Sequence, residues 1–186
     1  MTMMSLGRNG GVLAALLMLA SAPAWAGAFT LRSDTISDGG ALTKRQEAAV
    51  FGCSGAGVSP HLVWSGAPQG TKSFVVTAYD PDAPTGSGFW HWGVINIPAT
   101  ATGLPEGAST GGALPTGAMQ TRNDAGFNSF LGPCPPPGPA HRYVFTVHAL
   151  KTDRLDLDPQ ASGALVGFMV HMNSLGKATL TATYGR

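Results

Sequence analysis

Charge is scarce in this chain: 11 Lys and Arg and 10 Asp and Glu among 186 residues, with no excess of either sign. That excludes long solvated helices and the basic footprint of a nucleic-acid binder. Cysteine is nearly absent, with only Cys53 and Cys134, and their spacing is not that of a CxxC metal or redox motif. A hydrophobic run long enough to span a bilayer is also missing. The apolar stretch from Val12 to Ala20 falls short of the roughly 20 residues a membrane helix requires. It follows Arg8 and leads into Ala24-Trp25-Ala26, a small-residue cleavage pattern. Residues 1–26 therefore read as a secretory signal peptide, the alternative being an uncleaved N-terminal anchor. Cleavage after Ala26 leaves residues 27–186, the size of one domain. Arg8 departs with the leader, so ten basic and ten acidic side chains remain and the exported chain is formally neutral. The expected location is periplasmic or secreted, with no stable membrane insertion after cleavage. In such an oxidising compartment a Cys53–Cys134 disulfide is the first expectation, ahead of two buried thiols or a metal pair.

What the chain has in abundance is turn formers, 26 Gly and 14 Pro, separating short β-branched and aromatic runs. Ser73 to Tyr79 alternates Phe74, Val76 and Ala78 with Ser73, Val75 and Thr77 and reads as a core strand. Trp90 to Ile97 and His141 to Ala149 have similar length and content, and Leu62 to Trp64 and Lys177 to Tyr184 are shorter candidates. Five or more strands between Gly/Pro turns predict a mainly β, antiparallel β-sandwich. Gly103 to Gly138 lacks periodicity and reads as a surface excursion without strands. One helix is expected, with Ala161, Ala164, Leu165, Phe168, Met169, Met172 and Leu175 forming a stripe packed on the sheet. Asp158 would cap it, Pro159 would sit in its first turn and Gly176 would end it.

Polar chemistry gathers at the strand ends. Asp80-Pro81-Asp82-Ala83-Pro84 follows the first core strand, and its prolines stiffen the turn that carries both carboxylates. Strand alternation places His91 on one face with Gly93, Ile95 and Ile97, and sends Trp90, Trp92 and Val94 to the other. In the His141 strand, His141 and Tyr143 share a face with Phe145 and Val147 while Arg142 points away. Upstream, Gly132-Pro133-Cys134-Pro135-Pro136-Pro137-Gly138 forms a rigid rim whose glycines allow close approach of a ligand to the backbone. Imidazoles, a phenol and backbone N–H groups together make an anion cradle. Asp80 or Asp82 would orient a histidine or accept a hydrogen bond from the ligand.

These residues resemble the phosphatidylethanolamine-binding proteins, and within them the bacterial Raf kinase inhibitor-like branch. The resemblance rests on Asp80-Pro81-Asp82-Ala83-Pro84, on Trp90-His91-Trp92 leading to Asn96, and on Gly132-Pro133-Cys134-Pro135-Pro136 followed by His141-Arg142-Tyr143-Val144-Phe145. It extends over the mature chain, through Ser59 to Trp64, Arg122-Asn123-Asp124 and the closing Leu175 to Tyr184. It implies an antiparallel β-sandwich with a few peripheral helices and a small pocket for phosphate-like groups. That pocket would be lined by Asp80, His91, His141 and Tyr143, with Gly132 and Pro133 at its mouth and Asp82 as the second acid of the motif. The rim differs from that of animal members at Cys134 and Pro135 to Pro137, so lipid headgroup preference does not carry over.

Three function classes follow. The first is a binding module for a small anionic or phosphorylated ligand, with no catalytic residue, no cofactor and no metal. The second is a regulator or inhibitor of a protein partner such as a protease or kinase, with the Gly103 to Gly138 segment as its surface. The third is a hydrolase. Gly107-Ala108-Ser109-Thr110-Gly111 matches G-x-S-x-G, but both its flanks read as loop where a nucleophile elbow needs a strand and a helix. An Asp80, His91, His141 metal site lacks helix-borne ligand spacing.

Overall fold

A computed structural model describes Met1, residues 27–111 and residues 113–186. The leader expected over residues 1–26 lies, apart from Met1, outside the described residues.

Among the described residues eight strands make two antiparallel sheets. β1 (Thr30–Arg32), β2 (Leu62–Ser65) and β5 (Gly103–Leu104) form the smaller, in the order β1-β2-β5. The larger contains β3 (Ser73–Asp80), β4 (Phe89–Pro98), β6 (Met119–Gln120), β7 (His141–Leu150) and β8 (Ser174–Tyr184), in the order β6-β4-β3-β7-β8. β3, the Val-rich run at the centre, is buried on both faces because each covers a different core. Phe74, Val76 and Ala78 join Trp92, Val94, Phe145, Val147 and Leu180 against Leu31, Leu62 and Trp64 of the smaller sheet. This is the interior of a β-sandwich. On the outer face Val75, Ile95 and Leu150 pack with Leu155, Ala161, Val166 and Val170, the last two from helix α1 (Gly163–Asn173).

The helix departs from the sequence expectation in its cap and its face. Its N-cap is Ser162, whose hydroxyl accepts a hydrogen bond from Leu165 N–H at 3.2 Å. Asp158 instead closes a separate turn by accepting from Gln160 N–H. The buried face is Gly163, Val166 and Val170, while Leu165, Phe168 and Met172 are exposed, as is Leu175 just beyond the helix. The physical reason is Trp90. Its indole lies so close to the helix that a Cβ at Gly163 would run into the ring, and Gly167 sits over the far edge of the same indole. Only the glycine face can come that near the sheet, so the larger side chains turn outward.

The segment from Gly103 to Gly138 also differs from a surface excursion. It contributes β5 and β6, and it plugs the sandwich with Leu104, Ala108, Phe130 and Leu131. These isolated apolar residues have no period because each enters the core from a different turn. The expected alternation in β4 is broken twice. Phe74 pairs with Ile97 but Val76 with Val94, and Ala78 pairs with Trp92 but Tyr79 with Trp90. Each shift inserts an extra residue on β4, a β-bulge. At the first, Asn96 takes a positive φ of 58° and its amide bonds both N–H and C=O of Leu155. Ile97 consequently rejoins the main core, while Ile95 stays on the outer face. At the second, the extra residue is His91.

Candidate functional site

The bulge aims His91 away from simple alternation. Trp90 stacks on Tyr79 and the helix, Trp92 enters the main core against Phe130, and His91 between them meets Tyr143 edge-on with ring centroids 5.1 Å apart. β7 delivers His141 and Tyr143 to one face, as its alternation requires, together with the core residues Phe145 and Val147. β3 ends at Asp80, which is 2% exposed. One Asp80 oxygen accepts from Asp82 N–H at 2.8 Å, tightening the proline turn, and the other is 2.7 Å from His141 Nδ1.

The four side chains Asp80, His91, His141 and Tyr143 line one cavity of about 160 Å³. That is below the roughly 300–1,000 Å³ of sites for drug-sized ligands, so it suits a small group. Gly132 also lines it. Pro133 and Asp82 do not, and each has another task. Pro133 C=O accepts from Ala48 N–H at 3.1 Å, fixing the rim to the segment beneath. Asp82 receives Arg142 through the guanidinium, at 2.7 and 2.9 Å, and through the backbone N–H at 2.9 Å. These bonds hold the Asp82 carboxyl down at about 2 and clamp the acidic turn to the start of β7. Gly132 serves close packing more than ligand approach, because a Cβ there would strike the backbone of Gln46 and Glu47.

Electrostatics separates the polar groups by role. Burial pushes the His91 pKa below the ordinary histidine value, and its Nδ1 is 2.8 Å from Leu131 C=O. Burial pushes the Tyr143 phenol far upward, so it remains a neutral hydroxyl. Among the described residues neither the free ring nitrogens of His91 and His141 nor the Tyr143 hydroxyl has a protein partner, and none is sealed from solvent, so each opens onto the cavity. Around them the wall is apolar, made by Phe89, Leu131, Pro84, Pro135 and Pro136. Sequence reasoning missed Phe51, Thr85, Phe89 and Leu131. Phe51 carries no polar signal; what brings it to the mouth is the disulfide formed by Cys53 and Cys134, with Cα atoms 6.0 Å apart. The Arg186 guanidinium adds a bond to Pro135 C=O at 2.6 Å.

The G-x-S-x-G serine is placed differently. Ser109 is buried, its hydroxyl donating to Gln120 at 2.7 Å and accepting from Phe130 N–H at 2.6 Å. Its neighbours on both sides are turns. Among the described residues no three His, Cys, Asp or Glu side chains are grouped to hold a metal, and no helix is long and apolar enough to cross a membrane.

Comparison with known proteins gives a consistent result. The family model for phosphatidylethanolamine-binding protein matches residues 32–185. The YbcL protein of Escherichia coli (strain K12) is 50% identical over 176 residues, covering 93% of this chain and 96% of its own length. YbhB from the same organism is 52% identical over 155 residues, covering 83% of this chain and 98% of its own. The crystal structure of E. coli YbcL, described as a member of the mammalian PEBP family, superposes with a TM-score of 0.83 at 52% identity. It covers 85% of this chain and 98% of that one.

Proposed function

This chain belongs to the phosphatidylethanolamine-binding protein family, and from that membership we propose that it is an exported binding protein whose cavity at Asp80, His91, His141 and Tyr143 holds a small anion, phosphate or a phosphorylated headgroup. One observation carries the reading. Three side-chain polar atoms without partners among the described residues line a small cavity, and Asp80, the carboxylate those residues contribute to it, is already committed to Asp82 N–H and His141. An oxyanion completes such a set: the Tyr143 hydroxyl donates, and His141 donates through Nε2 when the pair carries its imidazolium and carboxylate charges. The apolar wall lowers the local dielectric and strengthens those bonds. Asp82, Arg142 and Pro133 act as positioning residues.

Export is supported by the leader pattern before Ala26 and by the Cys53–Cys134 disulfide, a bond of oxidising compartments. A binder is favoured over a hydrolase because Ser109 is engaged by Gln120 and Phe130. Calorimetry of the purified protein with phosphate and a panel of phosphorylated headgroups tests the proposal. We expect binding by the wild type and a loss of about 1.5 to 3 kcal/mol in His141→Ala, the scale of a hydrogen bond to a charged group. If nothing in the panel binds, the anion reading fails.

A second reading, a Raf kinase inhibitor-like regulator of a protein partner, draws on a different observation. The outward face of α1 presents Leu165, Phe168 and Met172 together, and grouped exposed apolar residues mark interaction surfaces. Partner binding that survives His141→Ala but is lost in Phe168→Asp would favour it.

A further inference from the structure

Of the polar atoms that open onto the cavity, His91 Nε2 has its role set by a buried backbone partner. Nδ1 of the same ring lies 2.8 Å from the Leu131 carbonyl oxygen, an atom that can only accept. Nδ1 therefore carries the hydrogen, and the neutral ring presents Nε2 as a lone pair. The ring is 6% exposed, wedged between Phe89 and Tyr143. The charged or titratable groups that face it are Asp80 from β3, His141 and Tyr143 from β7, and Asp124 from the loop after β6. Burial outweighs the two carboxylates and keeps the ring neutral. The floor of the cavity thus combines a donor, Tyr143 Oη, with an acceptor at His91 Nε2 that no described protein group satisfies.

We propose that this acceptor selects the protonation state of the ligand: the site takes hydrogen phosphate or a phosphate monoester, whose P–OH donates to His91 Nε2, and discriminates against sulfate and phosphodiesters. The inference rests on the anion-pocket reading above and names its substrate class. A phosphate monoester has its second pKa near 6, so close to neutral pH it still has a proton to offer. Sulfate has the same tetrahedral shape but only acceptors. An oxygen set against the lone pair is repelled, so to bind, sulfate must force a proton onto a buried imidazole. A diester has lost the proton for good and adds bulk besides. Leaving a buried acceptor unpaired weakens binding by roughly ten- to a hundredfold, and sites built around a hydrogen bond reject analogues that lack it.

The test is titration calorimetry on the purified protein at pH 6 with inorganic phosphate, methyl phosphate, sulfate and dimethyl phosphate, repeated in two buffers of different ionisation enthalpy. We expect phosphate and methyl phosphate to bind at least tenfold more tightly than sulfate and dimethyl phosphate. Sulfate binding should take up one proton more than phosphate binding. Sulfate with the affinity and proton uptake of phosphate would overturn the selection by His91 while leaving the anion pocket intact; no binding by any of the four would overturn both. His91→Gln, which replaces the bare acceptor with an amide able to donate, should bring sulfate and phosphate to similar affinity. An unchanged preference in that folded variant would also overturn the proposal. The proton count on the wild type decides the matter if the variant does not fold.

Discussion

His91 and Leu131 hold each other by two hydrogen bonds: Leu131 N–H donates to the His91 carbonyl at 2.9 Å, and His91 Nδ1 donates to the Leu131 carbonyl at 2.8 Å. The pair joins the bulge in β4 to the rim and fixes the histidine tautomer at the same time. Nitrogen-15 spectra of the imidazole should show a neutral Nδ1–H form at pH 7. Protonation should begin only below the ordinary histidine range. An Nε2–H tautomer at pH 7 would contradict the geometry.

The same physics predicts an acid limb in stability. His91 is kept neutral by burial, and His148 is held down to about 4 by burial and by Lys177. As the pH falls from about 6.5, the unfolded chain takes up protons that these native histidines refuse, so stability falls with pH. Asp82 acts in the same direction at lower pH. Its lowered pKa stabilises the fold above the ordinary carboxylate value, and that contribution is lost as the pH falls from about 3.8 to about 2. Thermal midpoints measured from pH 7.5 to 3.5 should drop through the histidine range and drop less in His148→Gln. A flat midpoint between pH 6.5 and 4 would refute the assignment.

The disulfide closes a loop with a sequence separation of 81 residues. In the chain-entropy account that stabilises the fold by about 4 to 5 kcal/mol. Reduction, or the Cys53→Ala, Cys134→Ala pair, should lower the denaturant midpoint accordingly. It should also weaken phosphate binding, since it frees Phe51 and the Cys134 rim. Equal binding before and after reduction would show that the mouth holds its shape without the bridge.

Gly163→Ala tests the helix seat. A Cβ there meets the Trp90 indole, and overpacking of this kind costs about 1–3 kcal/mol. The loss should shrink when Trp90 is cut to Leu, because the two substitutions act on one contact. Additive losses in urea unfolding would mean that the helix does not rest on that ring.

The readable parts of this molecule are those where local pattern and tertiary demand agree. Ser73 to Tyr79 and His141 to Ala149 announce themselves as strands, and the alternation in the latter correctly places His141 and Tyr143 beside Phe145. The cradle of acids and histidines is inferred from the residues, and the resemblance to the family narrows its lining to Asp80, His91, His141 and Tyr143. The misreadings share one cause. The face of His91 depends on pairing register, since Tyr79 meets Trp90 while Ala78 meets Trp92, and register is a property of two strands. In the helix, a stripe of large apolar residues and a stripe of glycine and valine run side by side at the same period. Which one faces the sheet is decided by the width of Trp90, a residue far away in sequence. Phe51 reaches the mouth through a crosslink, and its own neighbourhood gives no hint of that.

The contact of Gly132 with the backbone of Gln46 and Glu47 divides the cavity into parts with different tolerance for change. Where main chain touches main chain, no substitution has room to enlarge or reshape the wall. The exposed part of the lining is built from the side chains of Phe51, Pro84 and Pro136, which can be exchanged without moving the frame. Variation in what this scaffold admits, by natural drift or by engineering, should therefore accumulate at the entrance and leave the base unaltered.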